Sequence, residues 1–98
     1  DLNPYMALSA LIAAGLHGVD QKLALGPVFE GDAYSAPELP RLPTSLAAAR
    51  ELFANSQIAR DAFGEEVVAH YVNAADVELA AFGSAVTDWE RYRGFERL

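Results

Sequence analysis

Asn3-Pro4-Tyr5-Met6-Ala7-Leu8-Ser9-Ala10-Leu11-Ile12-Ala13-Ala14-Gly15-Leu16-His17-Gly18-Val19 is the stretch on which the fold turns. Asn3 suits a helix N-cap, because its side-chain oxygen can accept an otherwise unpaired backbone N–H. Pro4 fits the first turn, where its missing N–H costs nothing. From Tyr5 to Val19 the only polar side chains are Ser9 and His17, so a helix is predicted that is apolar nearly all round. Such a helix has to be buried on every side. Gly15 and Gly18 come late, where the helix is expected to weaken or end. The rest of a 98-residue chain offers little to surround it, and part of its cover is expected to come from elsewhere.

Working outward, residues 23–43 carry Pro27, Pro37, Pro40 and Pro43 with Gly26 and Gly31, and no helical or strand period. A connection of about 20 residues without structure is uncommon inside a compact small domain. It is expected to lie across a surface supplied by another part of the protein. Helical pattern resumes with Thr44 as the expected N-cap and runs through Ala54, then again from Ser56 to about Gly64. From Glu65 to Ser84, Val67, Tyr71, Ala75, Leu79 and Phe82 recur at spacings of four, four, four and three, which marks one buried stripe. Glu65 and Glu66 sit well at the positive end of that helix. Thr87-Asp88-Trp89-Glu90 reads as a capping box that opens a last short helix. The expected class is therefore all-α, about four helices with a long Pro-rich connection, and no segment alternates as a strand does.

Composition narrows function by exclusion. Hydrophobic residues make up 52% of the chain, enough for a globular protein. The net charge of −7 argues against nucleic acid, which needs a positive surface to displace counterions. That charge is uneven: residues 1–90 hold thirteen acids and four bases, and residues 91–98 hold three Arg and one Glu. Cysteine is absent, which removes disulfides, zinc–thiolate sites and thiol nucleophiles. It also fits a reducing, cytoplasmic location. The longest apolar stretch, residues 5–16, falls short of the roughly 20 residues that span a bilayer, so no membrane partner is expected. The opening Asp1, without a basic leader or an initiator Met, predicts that the chain is a piece of a longer protein.

No residue constellation carries chemistry by itself. His17, between two glycines, reads as structural, since no base or nucleophile is placed near it. Glu66 and His70, four apart, share a helix face as metal ligands do, but a third ligand at helical spacing is missing. Asp61, Glu65 and Glu66 read as a solvated face. Gly31-Asp32-Ala33-Tyr34 has neither the glycines nor the lysine of a phosphate loop. Ser35, Ser45, Ser56 and Ser84 lack the glycines of a nucleophile elbow. No catalytic, cofactor-binding or metal-binding residue is therefore assigned. Trp89, Tyr92 and Phe95 recur at three-residue spacing among Arg91, Arg93 and Arg97. They read either as the inner face of a packed terminal helix with its arginines outside, or as an anchor into a neighbouring subunit.

These pieces, in their order, resemble the C-terminal part of the catalytic domain in the glutamine synthetase family. Asn3-Pro4-Tyr5 with Ala14-Gly15-Leu16-His17-Gly18-Val19 is similar to that family's NPY helix, and Glu30-Gly31-Asp32-Ala33-Tyr34 to its GNAY loop. Leu42-Pro43-Thr44-Ser45-Leu46, Gly64-Glu65-Glu66-Val67-Val68 and Val86-Thr87-Asp88-Trp89-Glu90 continue the series. The resemblance covers residues 1–98. It implies a parent enzyme with an α+β catalytic domain that uses ATP and Mg or Mn. Such an enzyme joins ammonia or another amine to the γ-carboxylate of glutamate through γ-glutamyl phosphate. In that family the metal-binding glutamates and the substrate-contacting arginines lie before the NPY helix, so this segment is expected to be inactive alone and to bind no cofactor. Its implied partners are the remainder of its own catalytic domain and a homo-oligomeric ring. Trp89, Tyr92, Phe95 and Leu98 are the candidate subunit-interface residues. Asp32 stands where the family commonly has Asn, and Asp76, Gly83 and Gly94 interrupt helical stretches. The ending from Val86 to Leu98 is closer to the γ-glutamyl-amine ligase branch, which leaves ammonia, a polyamine or another amine as the acceptor. The rival reading, from a different class, is a freestanding acidic helical interaction module without catalysis.

Overall fold

Asn3 opens the first helix as its chemistry dictates, the side-chain Oδ1 accepting from the N–H groups of Tyr5 at 3.1 Å and Met6 at 3.2 Å. In a computed structural model, residues 3–37, 39–95 and 97 are described. They form α1 (Pro4–Asp20), a 3-10 turn (Ala33–Ser35), α2 (Leu46–Ala54), α3 (Gln57–Phe63), α4 (Glu65–Ser84) and α5 (Asp88–Phe95). The segment is all-helical as expected, with no strand among the described residues.

α1 runs straight through Gly15 and Gly18, contrary to the expectation that it would weaken there. Each helical glycine costs only about 1 kcal/mol relative to alanine, too little to stop an otherwise strong helix. What ends α1 is a Schellman turn: Leu23 N–H donates to Gly18 C=O at 3.0 Å and Lys22 N–H to Val19 C=O at 3.1 Å. That turn forces Lys22 into the left-handed region at φ 51°, where glycine is the usual occupant.

Ser45, not Thr44, caps α2, with its Oγ accepting from Ala48 N–H at 3.2 Å. A cap accepts from an N–H two or three residues on, and Ser45 holds that register on Ala48. Ser56 caps α3 as expected, accepting from Ala59 N–H at 3.1 Å. Gly64 then joins α3 to α4 at φ 82° and ψ 159°, a conformation essentially confined to glycine.

Packing involves α1 on α3, α3 on α4, and α2 on α4. α2 runs antiparallel to α4: Ala54 shares a crevice with Val68, and Arg50 reaches Asp76 two turns further along. That pair is bidentate, with Arg50 Nε to Asp76 Oδ1 and Nη2 to Oδ2 both at 2.9 Å. Asp76 therefore secures α2 against α4 and does not interrupt the helix, while α4 and α5 each end one residue after their glycines, Gly83 and Gly94. Arg60 clamps the α2–α3–α4 corner, donating to the carbonyls of Ala54 and Ser56 and pairing with Glu65 at 2.8 Å.

The stripe expected on α4 holds at Val67, Ala75 and Leu79, which are half-buried, and fails at Tyr71 and Phe82, which are exposed. Val68, at 2% exposure, is its centre, with Val72, Ala75 and Leu79 half-buried along the same face. Phe82 stays 72% exposed. α2, nine residues or about 14 Å long, covers only part of a helix of about 30 Å, and Phe82 overhangs its end.

The only buried apolar side chains among the described residues are Ala36, Ala59 and Val68. The accessible surface is 8691 Å², where a compact protein of 10.5 kDa has about 5,400 Å². The radius of gyration is 18.6 Å, against about 13 Å for a compact chain of this length. Both measures describe a helical layer with large apolar faces in water.

Candidate functional site

The candidate interface residues on α5 rest on a well-made helix start. Thr87 Oγ1 accepts from Glu90 N–H at 3.2 Å, and Glu90 Oε2 accepts in return from Thr87 N–H at 2.8 Å and from its hydroxyl at 2.9 Å. This reciprocal capping box satisfies two otherwise unpaired donors. The two hydrogen bonds, the backbone one foremost, hold the Glu90 carboxyl below its ordinary value.

α5 stands outside the three packed helix pairs. Trp89, Tyr92 and Phe95 are 66%, 69% and 77% exposed, so no other part of the described chain covers them. Arg93 lies with its guanidinium carbon 5.1 Å from the Trp89 ring centre, one turn on, as a cation–π pair. Arg91 pairs with Asp88 at 3.7 Å. The structure thus gathers Trp89, Tyr92 and Phe95 on one open helix, flanked by arginines. Leu98, the fourth candidate, lies outside the described residues.

A second open surface is on α1, and the sequence reading missed its sidedness. Ala10, Ala13 and Ala14 face Phe53, Ile58, Ala59 and Phe63 across a crevice of about 270 Å³. Met6, Ala7 and Ala10 border a neighbouring crevice with Phe53, Phe63 and Tyr71. The small residues of α1 therefore look toward α2 and α3. Tyr5, Leu8, Ile12, Leu16 and Val19, spaced three, four, four and three, form a row on the opposite side, and all are exposed. The helix is apolar all round, yet its large side chains are segregated from its small ones. The signal was present in the spacing of the large residues but hidden by the absence of polar ones.

No group of three or more His, Cys, Asp or Glu side chains is placed to hold a metal ion among the described residues. Glu66 and His70 are both exposed on α4, and His17 is half-buried in the last turn of α1. The Asp32 carboxyl is held below its ordinary value first by the Ser35 hydroxyl, which donates at 2.6 Å, and then by Tyr34 N–H at 3.0 Å. Both of those partners are local, and they build an Asx turn rather than a cradle for a phosphate. Gly31, at φ 122°, supplies the bend before it. These side chains do not fit a nucleotide-phosphate or divalent-metal site. Arg50, raised above its ordinary value by the hydrogen bond to Asp76, is used up in helix packing. Sequence spacing gave no sign of that long-range pair. No helix among the described residues is long and apolar enough to cross a membrane.

Comparison with known proteins gives a consistent picture. The family described as glutamine synthetase, catalytic domain, matches residues 1–93. The chain is 55% identical over 98 residues to gamma-glutamylethanolamide synthetase GlnA4 of Streptomyces coelicolor, covering 100% of this chain and 21% of that protein. It is 41% identical over 100 residues to type-1 glutamine synthetase 2 of Dictyostelium discoideum, covering 98% and 19%. A glutamate–isopropylamine ligase from Pseudomonas sp. is 38% identical over 95 residues, covering 95% and 21%. The chain thus spans about a fifth of the length of the curated relatives it matches.

Proposed function

The chain belongs to the glutamine synthetase catalytic-domain family, and from that premise we propose that it is the C-terminal structural and assembly segment of an ATP-dependent ligase. The complete protein joins an amine to the γ-carboxylate of glutamate through γ-glutamyl phosphate, in a cytoplasmic setting. Its ATP and its Mg or Mn are held by the remainder of an α+β catalytic domain, a reading supported by the match to the glutamine synthetase catalytic domain. This segment alone carries no catalysis.

The single observation that carries the structural role is the two-sided α1. Its small residues look across open crevices toward Phe53 of α2 and Ile58, Ala59 and Phe63 of α3, while its row of large side chains is exposed. Surface of that kind is stable only when another apolar layer covers it. The remainder of the catalytic domain is that layer, and α2 to α4 form its outer cover. The freestanding-module reading would leave the same row in solvent, which weighs against it.

For the acceptor, the likeness to a gamma-glutamylethanolamide synthetase and to a glutamate–isopropylamine ligase favours a small primary amine in addition to ammonia. The face of Trp89, Tyr92 and Phe95, with Leu98 beyond it, is the proposed contact between subunits of a homo-oligomeric ring.

The test is a hydroxamate and ATP-turnover assay on the complete protein over ammonia, ethanolamine, isopropylamine and a polyamine. Turnover with a small amine supports the reading. Silence across the panel, with a 10.5 kDa chain that unfolds cooperatively as a monomer, would overturn it in favour of a freestanding module.

A further inference from the structure

No further inference is drawn: the strongest candidate, the apolar crevice between α1 and the α2–α4 helices lined by Met6, Ala10, Phe53, Phe63 and Tyr71, carries nothing because nothing in the structure shows what covers it.

Discussion

Replacing Ile12 by Ala separates a covered α1 from a solvent-facing one. The change removes three carbons, worth about 2.4 kcal/mol if the side chain goes from full burial to none, at ~0.8 kcal/mol per methylene. In this chain Ile12 keeps 64% of its surface exposed, so only a little over a third of that, about 0.9 kcal/mol, is at stake. Alanine's better helix propensity offsets a few tenths of it, leaving about 0.5 kcal/mol. In the complete protein the proposed layer buries the side chain, and the cost rises to about 2–5 kcal/mol because a cavity is left behind. Val68→Ala is the internal control. Val68 is 2% exposed within the chain itself, so two lost methyls should cost about 1.6 kcal/mol or more in either setting. Urea unfolding of the complete protein, with circular dichroism of the isolated segment, reads both contexts. The reasoning fails if Ile12→Ala is as mild in the complete protein as in the segment while Val68→Ala is costly in both. That result would mean the large row of α1 faces water in the complete protein.

Three further outcomes are expected. Trp89→Ala together with Phe95→Ala in the complete protein should shift the native mass toward smaller assemblies while leaving ATP affinity within about twofold; an unchanged native mass removes these side chains from the subunit contact. Because the folded Glu90 carboxyl titrates below its ordinary value of 4.5, its contribution to the start of α5 is complete above that value and is lost as pH falls through the lower folded one. The protection factors of the α5 amides should therefore fall in that acid range, and Thr87→Val, which keeps the stronger backbone donor, should remove only the smaller part of the pH dependence. Gly64→Ala should destabilise the α3–α4 joint by about 1–3 kcal/mol purely through backbone strain, since an added Cβ meets nothing within 4 Å. Lys22→Gly should do the reverse, relieving about 1 kcal/mol at the end of α1; thermal melts of the two variants moving in the same direction would contradict the backbone account.

What could be read from the sequence was local. Asn3, Ser56 and the Thr87–Glu90 box each act on an N–H two or three residues away, and each was legible because its partner is fixed by helix geometry. The bounds of α4 followed from Gly64 and from the first acids for the same reason. What escaped was set at a distance. The bidentate Arg50–Asp76 pair joins residues 26 apart, and no periodicity announces it. The burial of Val68 in place of Tyr71 and Phe82 on the α4 stripe depends on where the short α2 happens to lie. As for a site, the spacing of Trp89, Tyr92 and Phe95 was visible in the sequence and their exposure was not, because the same spacing describes a packed helix equally well.

The two open faces differ in a way that bears on their proposed roles. The α1 row from Tyr5 to Val19 carries no Asp, Glu, Lys or Arg, so a partner there gains mainly from burial and has no ion pair to orient or release it. That is the character of a permanent layer within one domain. The α5 face carries Arg91 and Arg93 beside its aromatics, and both are engaged on the helix itself, one with Asp88 and the other over Trp89. Aromatic anchors with arginines at their side have the composition of a contact between separately folded surfaces. The capping box of α5 closes within the helix's own first turn and needs no neighbour, so this face can be completed late, as a subunit contact is. α1 cannot be left until late, because its uncovered row would associate with any apolar surface it met. The order that follows is domain completion over α1 first and subunit contact through α5 second. Time-resolved refolding of the complete protein should therefore show protection of α1 before any rise in native mass, and a rise in mass that precedes α1 protection would reverse the assignment of the two faces.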